Sequence, residues 1–528
     1  MWQLNRLSLW LALLILAAPT GAVFGRLETV EVNFDYVIQK AMERAQKPFH
    51  SPRADLPAVL RADNLNYDKY REIRFRHEDA LWADEGLPFH VEFFHPGYIY
   101  DEPVHMYEFM LNHMQPIRFS QDFFDYSPIV QSIKDEIPAN TGYAGFRLMY
   151  PLNNPQYHDE LGAFLGASYF RLLGKGMRYG PSARGLTVDC GGSDRPEEFP
   201  IFTDWWLGKP QADDRDVHLY ALLDSVSCVG AYSFVIHPGD TTIADIDAAI
   251  IFREPDKIHA VDPKKKAVAT IGIAPLTSMF WFGKNSERKY DDYRPEVHDS
   301  DGLLMKLDNG EILWRPLNNG AVMQHQRFAV KDIRGFGLLQ RERNWAAYQD
   351  IFNNYNLVPS IWVEPHGHWG EGEVHLVELN TDFEGMDNIV AFWCPKELPK
   401  PLVPVRYSYS LYWLANTEAG LSPERVIATR VGVDHRFPDQ REMVIDFSGP
   451  KLDKIPQDKV PVAIASCSDN ATIPQATQVL PNPIDGGWRV ILYLKPKPGN
   501  SNPVDVRCTL TDGKEPVSET WTYLWSPP

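Results

Sequence analysis

Two clusters of acidic side chains set the chemistry open to this chain. The first, RPEVHDSDG, carries Glu296, His298, Asp299, Asp301 and Gly302 between the apolar run Ile271 to Phe282 and the strand-like stretch Gly310 to Trp314. The second, VELNTDFEGMDNIVAFW, sets Glu378, Asp382, Glu384 and Asp387 ahead of an apolar strand from Ile389 to Trp393. Both occupy loop-to-strand junctions, where a rigid sheet can carry a reactive side chain. Cleaving a glycosidic bond needs one carboxylic acid to protonate the leaving oxygen and a second carboxylate to activate water or attack carbon. Two acid-bearing loops facing one cleft would supply that pair. Asp-rich turns more often hydrogen-bond their own backbone or face solvent, so the clusters alone do not establish catalysis.

Other chemistries find less support. Gly166-Ala167-Ser168-Tyr169-Phe170 breaks the serine-nucleophile pattern at its last position, and no phosphate-cradling glycine loop is present. Asp299-Ser300-Asp301-Gly302 opens like a calcium loop, but Leu303 stands where that loop wants oxygen. His366, His368 and His375 could ligate a metal with Glu364 or Glu378, yet they lack zinc spacing, so neither metal nor cofactor is expected. With 52 basic against 70 acidic residues and a formal charge of −18, the chain would repel nucleic acid and anionic lipid surfaces. Its 15 tryptophans suit a neutral sugar, whose apolar face stacks on indole, although packing is the default use of any one of them. Candidate sugar contacts are Tyr169 with Arg171, Tyr179 with Arg184, Trp205, Trp206, Trp281, Trp314 with Arg315, Trp362 with Trp369, and His298 and Asp301 of the first cluster.

The elements that must position these residues are mostly strands. Asn33 caps a predicted helix with Phe34, Val37, Ile38, Ala41 and Ala45 on one face, ending before Pro48. Beyond it, period-two segments such as Phe89, Val91 and Phe93 recur to about Trp393, and Pro 42 with Gly 35 punctuates them into short strands. Residues 341–356 read as a helical exception. The segment CPKELPKPLVP favours an extended spacer, so residues 395–404 are predicted to link a large domain over 26–394 to a module over 405–528. That module alternates at Val405, Tyr407, Tyr409, Leu411 and Trp413, and again at Val504 to Leu510, as a small immunoglobulin-like sandwich would. Cys467 and Cys508 share it and could pair, though connectivity cannot be read from sequence. Residues 1–25, with one arginine, an apolar run and a small-residue end, read as a secretory signal peptide too short for a membrane anchor. The expectation is an all-β, exported, periplasmic protein.

At these same residues the chain resembles the periplasmic glucan biosynthesis proteins of the MdoG/OpgG and OpgD family. The stretches carrying the resemblance are YREIRFRHEDALWADEGLPFHVEFFHPG, GASYFRLLGKGMRYGPSARGL, IAPLTSMFWFG, RPEVHDSDGLL, LWRPLNN and DNIVAFWCPK, spread over nearly all of the mature chain. The resemblance implies a large galactose-mutarotase-like β-sandwich joined to an immunoglobulin-like one. It implies a role in making osmoregulated periplasmic glucan with a β-1,2-linked backbone, and endo-hydrolysis of that backbone with inversion. It further implies Asp387 as general acid, Asp299 as general base and Glu384 as a neighbour that aids proton movement or substrate placement. The leader points to the G type. Departures include the loop LNTDFEGMD and several cysteines. Implied partners are the β-glucan itself and the membrane glucan synthase, with homodimerisation left open. A non-catalytic glucan-binding or assembly factor and a transglycosylase remain as rival readings.

Overall fold

The computed structural model describes residues 28–29, 31–192, 194–286, 290–415 and 420–527. The signal-peptide reading of residues 1–25 therefore lies outside the described residues. Among the described residues no helix is long and apolar enough to cross a membrane.

The fold is all-β. Fifteen strands form one sheet and ten a second that packs face to face with its central part. The centre of the long sheet is a meander of Ile201–Gly208, Val217–Asp224, Cys228–His237 and Thr242–Phe252. Inward-facing rings from both sheets interlock: Trp205 meets Phe164 at 4.9 Å and Phe234 meets Phe170 at 5.5 Å between centroids. The predicted helix is present at Phe34–Ala45, with the Asn33 side chain accepting from the Tyr36 amide. It lays Val37, Ala41 and Ala45 on Val229, Ala231, Ala249 and Ile251, closing the outer face of the long sheet.

The strand Val405–Leu414 lies where the sequence boundary does not put it. It is inserted between Thr242–Phe252 and Ser360–Pro365, in the middle of the long sheet. The proline-rich stretch 395–404 therefore carries the chain from Ile389–Pro395 in the shorter sheet to its neighbour layer, within one sandwich. Proline density marks an extended crossover here, and the chain enters the second sandwich only after Leu414. Residues 341–356 are likewise mostly loop, with one short helix at Trp345–Tyr348 and a turn at Tyr355–Leu357. The side chains of Asn344, Asp350 and Asn354 hydrogen-bond the nearby backbone and compete with a longer helix.

The second sandwich opposes a five-stranded sheet to the strands Val462–Cys467, Val504–Thr511 and Thr520–Trp525. Those three strands are also the end of the long sheet, because Thr520–Trp525 runs parallel to Ile312–Pro316, with Leu313 opposite Thr520 and Trp314 opposite Trp521. One hydrogen-bonded sheet thus runs through both sandwiches. The cysteines are free, and register explains why Cys467 and Cys508 do not pair: Cys508 faces Ala465, and Cys467 faces Val506.

Candidate active site

The two acidic loops converge on a single short segment, Met279-Phe280. Phe280 pairs with His298 in a two-stranded ribbon, and the Asp299 amide donates to the Met279 carbonyl at 2.9 Å. On the other side, Asn388 accepts from the Phe280 amide at 2.8 Å and donates to the carbonyls of Phe280 and Leu379 at 3.0 Å each. Asn388 is fully buried, so the residue before it, Asp387, leaves the sheet at a fixed point. Phe280 is the common mount that brings together acids far apart in sequence.

The turn bearing Asp299 is clamped from behind by residues 340–342. The Gln340 side chain donates to the His298 carbonyl and accepts from His298 Nδ1, both at 2.8 Å. His298 Nε2 lies 3.2 Å from Glu296 Oε2, so both ring nitrogens face acceptors and the imidazole carries both protons. Burial opposes that charge, but Glu296, with Asp301 beyond, outweighs it and holds the His298 pKa above the ordinary value. Asp301 Oδ2 accepts from the amides of Arg341 and Glu342 at 3.0 Å each. Gly302, next in line, has the Trp314 ring where a Cβ would stand, only 2.1 Å away, so no larger residue fits.

Electrostatics separate the two acids. Burial, then the charge of Asp387, pushes the Asp299 pKa up to about 7 against the opposing pull of Arg171 and His298. Asp387 is also raised by burial, with Arg171 pulling it down; its side chain is 37% exposed and Oδ2 lies 3.4 Å from Arg171 Nη2. Arg171 is itself fixed by donating from Nε to Ser182 Oγ at 2.6 Å. Near neutral pH Asp299 therefore still carries a proton part of the time, where an ordinary aspartate carries none.

Glu384 is the third carboxylate. Its Oε2 accepts from Arg294 Nη1 at 2.6 Å and from the Tyr355 hydroxyl at 2.7 Å. Arg294 is a buried hub that also binds Asp292 and Asp350. Burial, then the hydrogen bond to Glu384 and the charge of Asp299, raises the Tyr355 pKa, which keeps that hydroxyl protonated. Arg294 and Tyr355 were not singled out from the sequence. Arg294 opens the first acidic motif, the one local hint; Tyr355 lies in the stretch misread as helix.

The predicted sugar contacts divide. Tyr169 and Arg171 belong to the site: Asp387 is close enough for its charge to raise the Tyr169 pKa, after burial and against Arg184. Arg184 is buried behind them, stacked on Tyr169 at 4.9 Å and paired with Glu197 at 2.8 Å. Trp314, Arg315 and Trp362 serve the seam between the sandwiches instead. Trp314 and Trp362 are buried in the second sandwich's core cluster, Trp314 under the Arg341 guanidinium at 3.4 Å, and Arg315 is bound to Asp505. His298 and Asp301 are engaged in holding the Asp299 turn. His366, His368 and His375 go to different partners, Ser410, Asp332 and the His325–Glu373 pair, and no cluster of three or more metal-ligating residues occurs among the described residues.

The raised Asp299 has a stability consequence. Between about pH 4, where the unfolded side chain titrates, and about pH 7, the fold holds a proton the unfolded chain has lost. Its contribution favours folding at low pH and fades as pH rises through that window, and Glu378, pushed by burial to about 7, acts in the same sense. Asp299→Asn removes one of these titrations. Its melting temperature should gain on the native protein steadily from pH 5 to pH 8; a pH-independent difference would show that Asp299 does not titrate there.

Comparison with known proteins bears on what such a site serves. A family profile described as "Periplasmic glucan biosynthesis protein, MdoG" matches residues 32–525. Glucans biosynthesis protein G of Ralstonia nicotianae (strain ATCC BAA-1114 / GMI1000) is 42% identical over 499 residues, covering 93% of this chain and 95% of that protein. Glucans biosynthesis protein G of Bradyrhizobium diazoefficiens is 42% identical over 493 residues, covering 93% of each.

Proposed function

Since the chain belongs to the MdoG family of periplasmic glucan biosynthesis proteins and so takes part in making glucan, we propose that it trims that glucan in the periplasm as an inverting endo-β-1,2-glucanase. The observation that carries this reading is the mounting of Asp299 and Asp387 on opposite sides of Phe280, where burial raises the proton affinity of both. An inverting glycosidase needs one carboxyl protonated and one ionised at the same pH, and buried carboxyls of raised proton affinity can supply both forms.

Asp387 is the general acid and Asp299 the general base in this proposal. In the free protein Asp299 is the carboxyl raised to about 7, so substrate must shift proton affinity from it to Asp387. A sugar ring covering the exposed flank of Asp387 removes water from that carboxylate and raises its proton affinity, while Asp299 releases its proton as it comes to face the attacking water. Tyr355 and Glu384 offer hydrogen-bonded groups beside both steps, and Arg294 keeps Glu384 in place.

The test is incubation of the mature protein with linear β-1,2-glucan, counting new reducing ends and following the anomer of the first product by proton NMR. Internal cleavage with the α-anomer appearing first is expected. Binding without new reducing ends would leave a glucan-holding assembly factor, and products one water lighter than the linear chain would indicate ring closure.

A further inference from the structure

The loop 350–355 is tied to Glu384 at both ends. Asp350 Oδ2 accepts from Arg294 Nη1 at 2.9 Å, the same nitrogen that holds Glu384, and Tyr355 reaches Glu384 directly. Asp350 Oδ1 also accepts from the amides of Phe352 and Asn353, at 2.8 and 2.9 Å, so the tip between the anchors has a defined shape. Gln349 and Asn354 take left-handed conformations, φ +53° and +54°, to close it. This well-anchored tip presents Ile351 and Phe352 to solvent, Phe352 at 91% exposure.

A second aromatic tip stands on the other loop that carries Glu384. Phe383 is 56% exposed, its backbone fixed by two hydrogen bonds to Thr381 Oγ1. Its ring lies against Gly385, where a Cβ would come within 2.1 Å, so one face is backed by glycine. Large apolar side chains presented to solvent on loops whose backbone is fixed in this way point to a binding surface. Asp382, Glu384 and Asp387 lie on the Phe383 loop, which disfavours an anionic lipid surface and also a second copy of this acidic chain. A neutral sugar ring meets neither objection: its apolar face covers phenyl rings and its hydroxyls suit the carboxylates between them.

We propose that Phe352 and Phe383 form a stacking subsite for a glucosyl ring of the polymer beside the acid pair, and that Asp350 and Arg294 link its occupancy to the position of Glu384. The proposal rests on the glucan reading above and names where that polymer is held.

The experiment measures calorimetric binding of linear β-1,2-glucan to full-length mature protein in an Asp299→Asn background, which keeps the polymer uncut. Phe352→Ala and Phe383→Ala should each weaken binding about tenfold, the scale of one aromatic stacking contact, and Phe352→Trp should retain it. Unchanged affinity in both alanine variants, with the parent binding well, overturns the subsite alone. So does loss of self-association or of vesicle binding with glucan affinity intact. A parent that binds no glucan would instead remove the function proposed above, and the subsite with it.

Discussion

Asp387→Asn and Asp299→Asn should each lower glucan cleavage by about 10²- to 10⁴-fold, the range that positioned proton transfer contributes. An asparagine keeps the shape of each side chain and its place on the Phe280 mount, since that mount uses the Asn388 side chain and the Asp299 backbone amide rather than either carboxylate. The fold should therefore survive both changes. The double variant should be little worse than either single one, because acid and base act on one bond in one step. Reducing-end assays, with circular dichroism and glucan binding as controls, check this. Full activity in either variant would remove that residue from the chemistry, and multiplicative losses would mean that the two carboxyls act in separate steps.

Arg341→Met should destabilise the protein by about 3 kcal/mol, towards the lower end of the cost of orphaning a buried charge. Arg341 and Glu519 are paired across the seam with side chains 5% and 0% exposed. Without arginine, Glu519 keeps, among the described residues, the Ser422 hydroxyl and the Val426 amide to offset its burial. The amides of Arg341 and Glu342 also hold Asp301, so loss of this contact loosens the turn that carries Asp299, and glucan cleavage should fall with stability. Denaturant unfolding measures the first effect. Adding Glu519→Leu should recover part of the stability, since it removes the uncompensated charge and leaves only the Ser422 hydroxyl and the Val426 amide without their acceptor; failure to recover would show that packing of Arg341 on Trp314, rather than charge, holds the seam.

The all-β class was legible because period-two patterning and turn residues report local geometry directly, and Phe89, Val91 and Phe93 are all buried as that pattern requires. The two acidic loops were legible as candidates because each stands at a loop-to-strand junction ahead of an apolar strand, while the choice of Asp299 and Asp387 within them came from the family resemblance. The seam was not legible. Trp314 under a guanidinium and a tryptophan under a sugar look alike in sequence, and only glycines on the neighbouring strands betray the difference: Gly302 lies diagonally across from Trp314 and Gly335 from Trp362, each with an indole carbon 2.1 Å from where a Cβ would be. The boundary error has the same root. Composition can mark Pro395 to Pro404 as extended, but which strands Val405–Leu414 joins depends on pairings distant in sequence.

The parallel pairing of Ile312–Pro316 with Thr520–Trp525 makes the C-terminal sandwich a poor cassette for recombination. An appended module on a flexible tether can be lost or exchanged without consequence to its host. Deleting this one would strip a row of backbone donors and acceptors along Ile312–Pro316 and turn a closed edge into a template for sticking to other chains. A variant that is to keep the fold around the two acidic loops must therefore keep, or replace strand for strand, the module behind them.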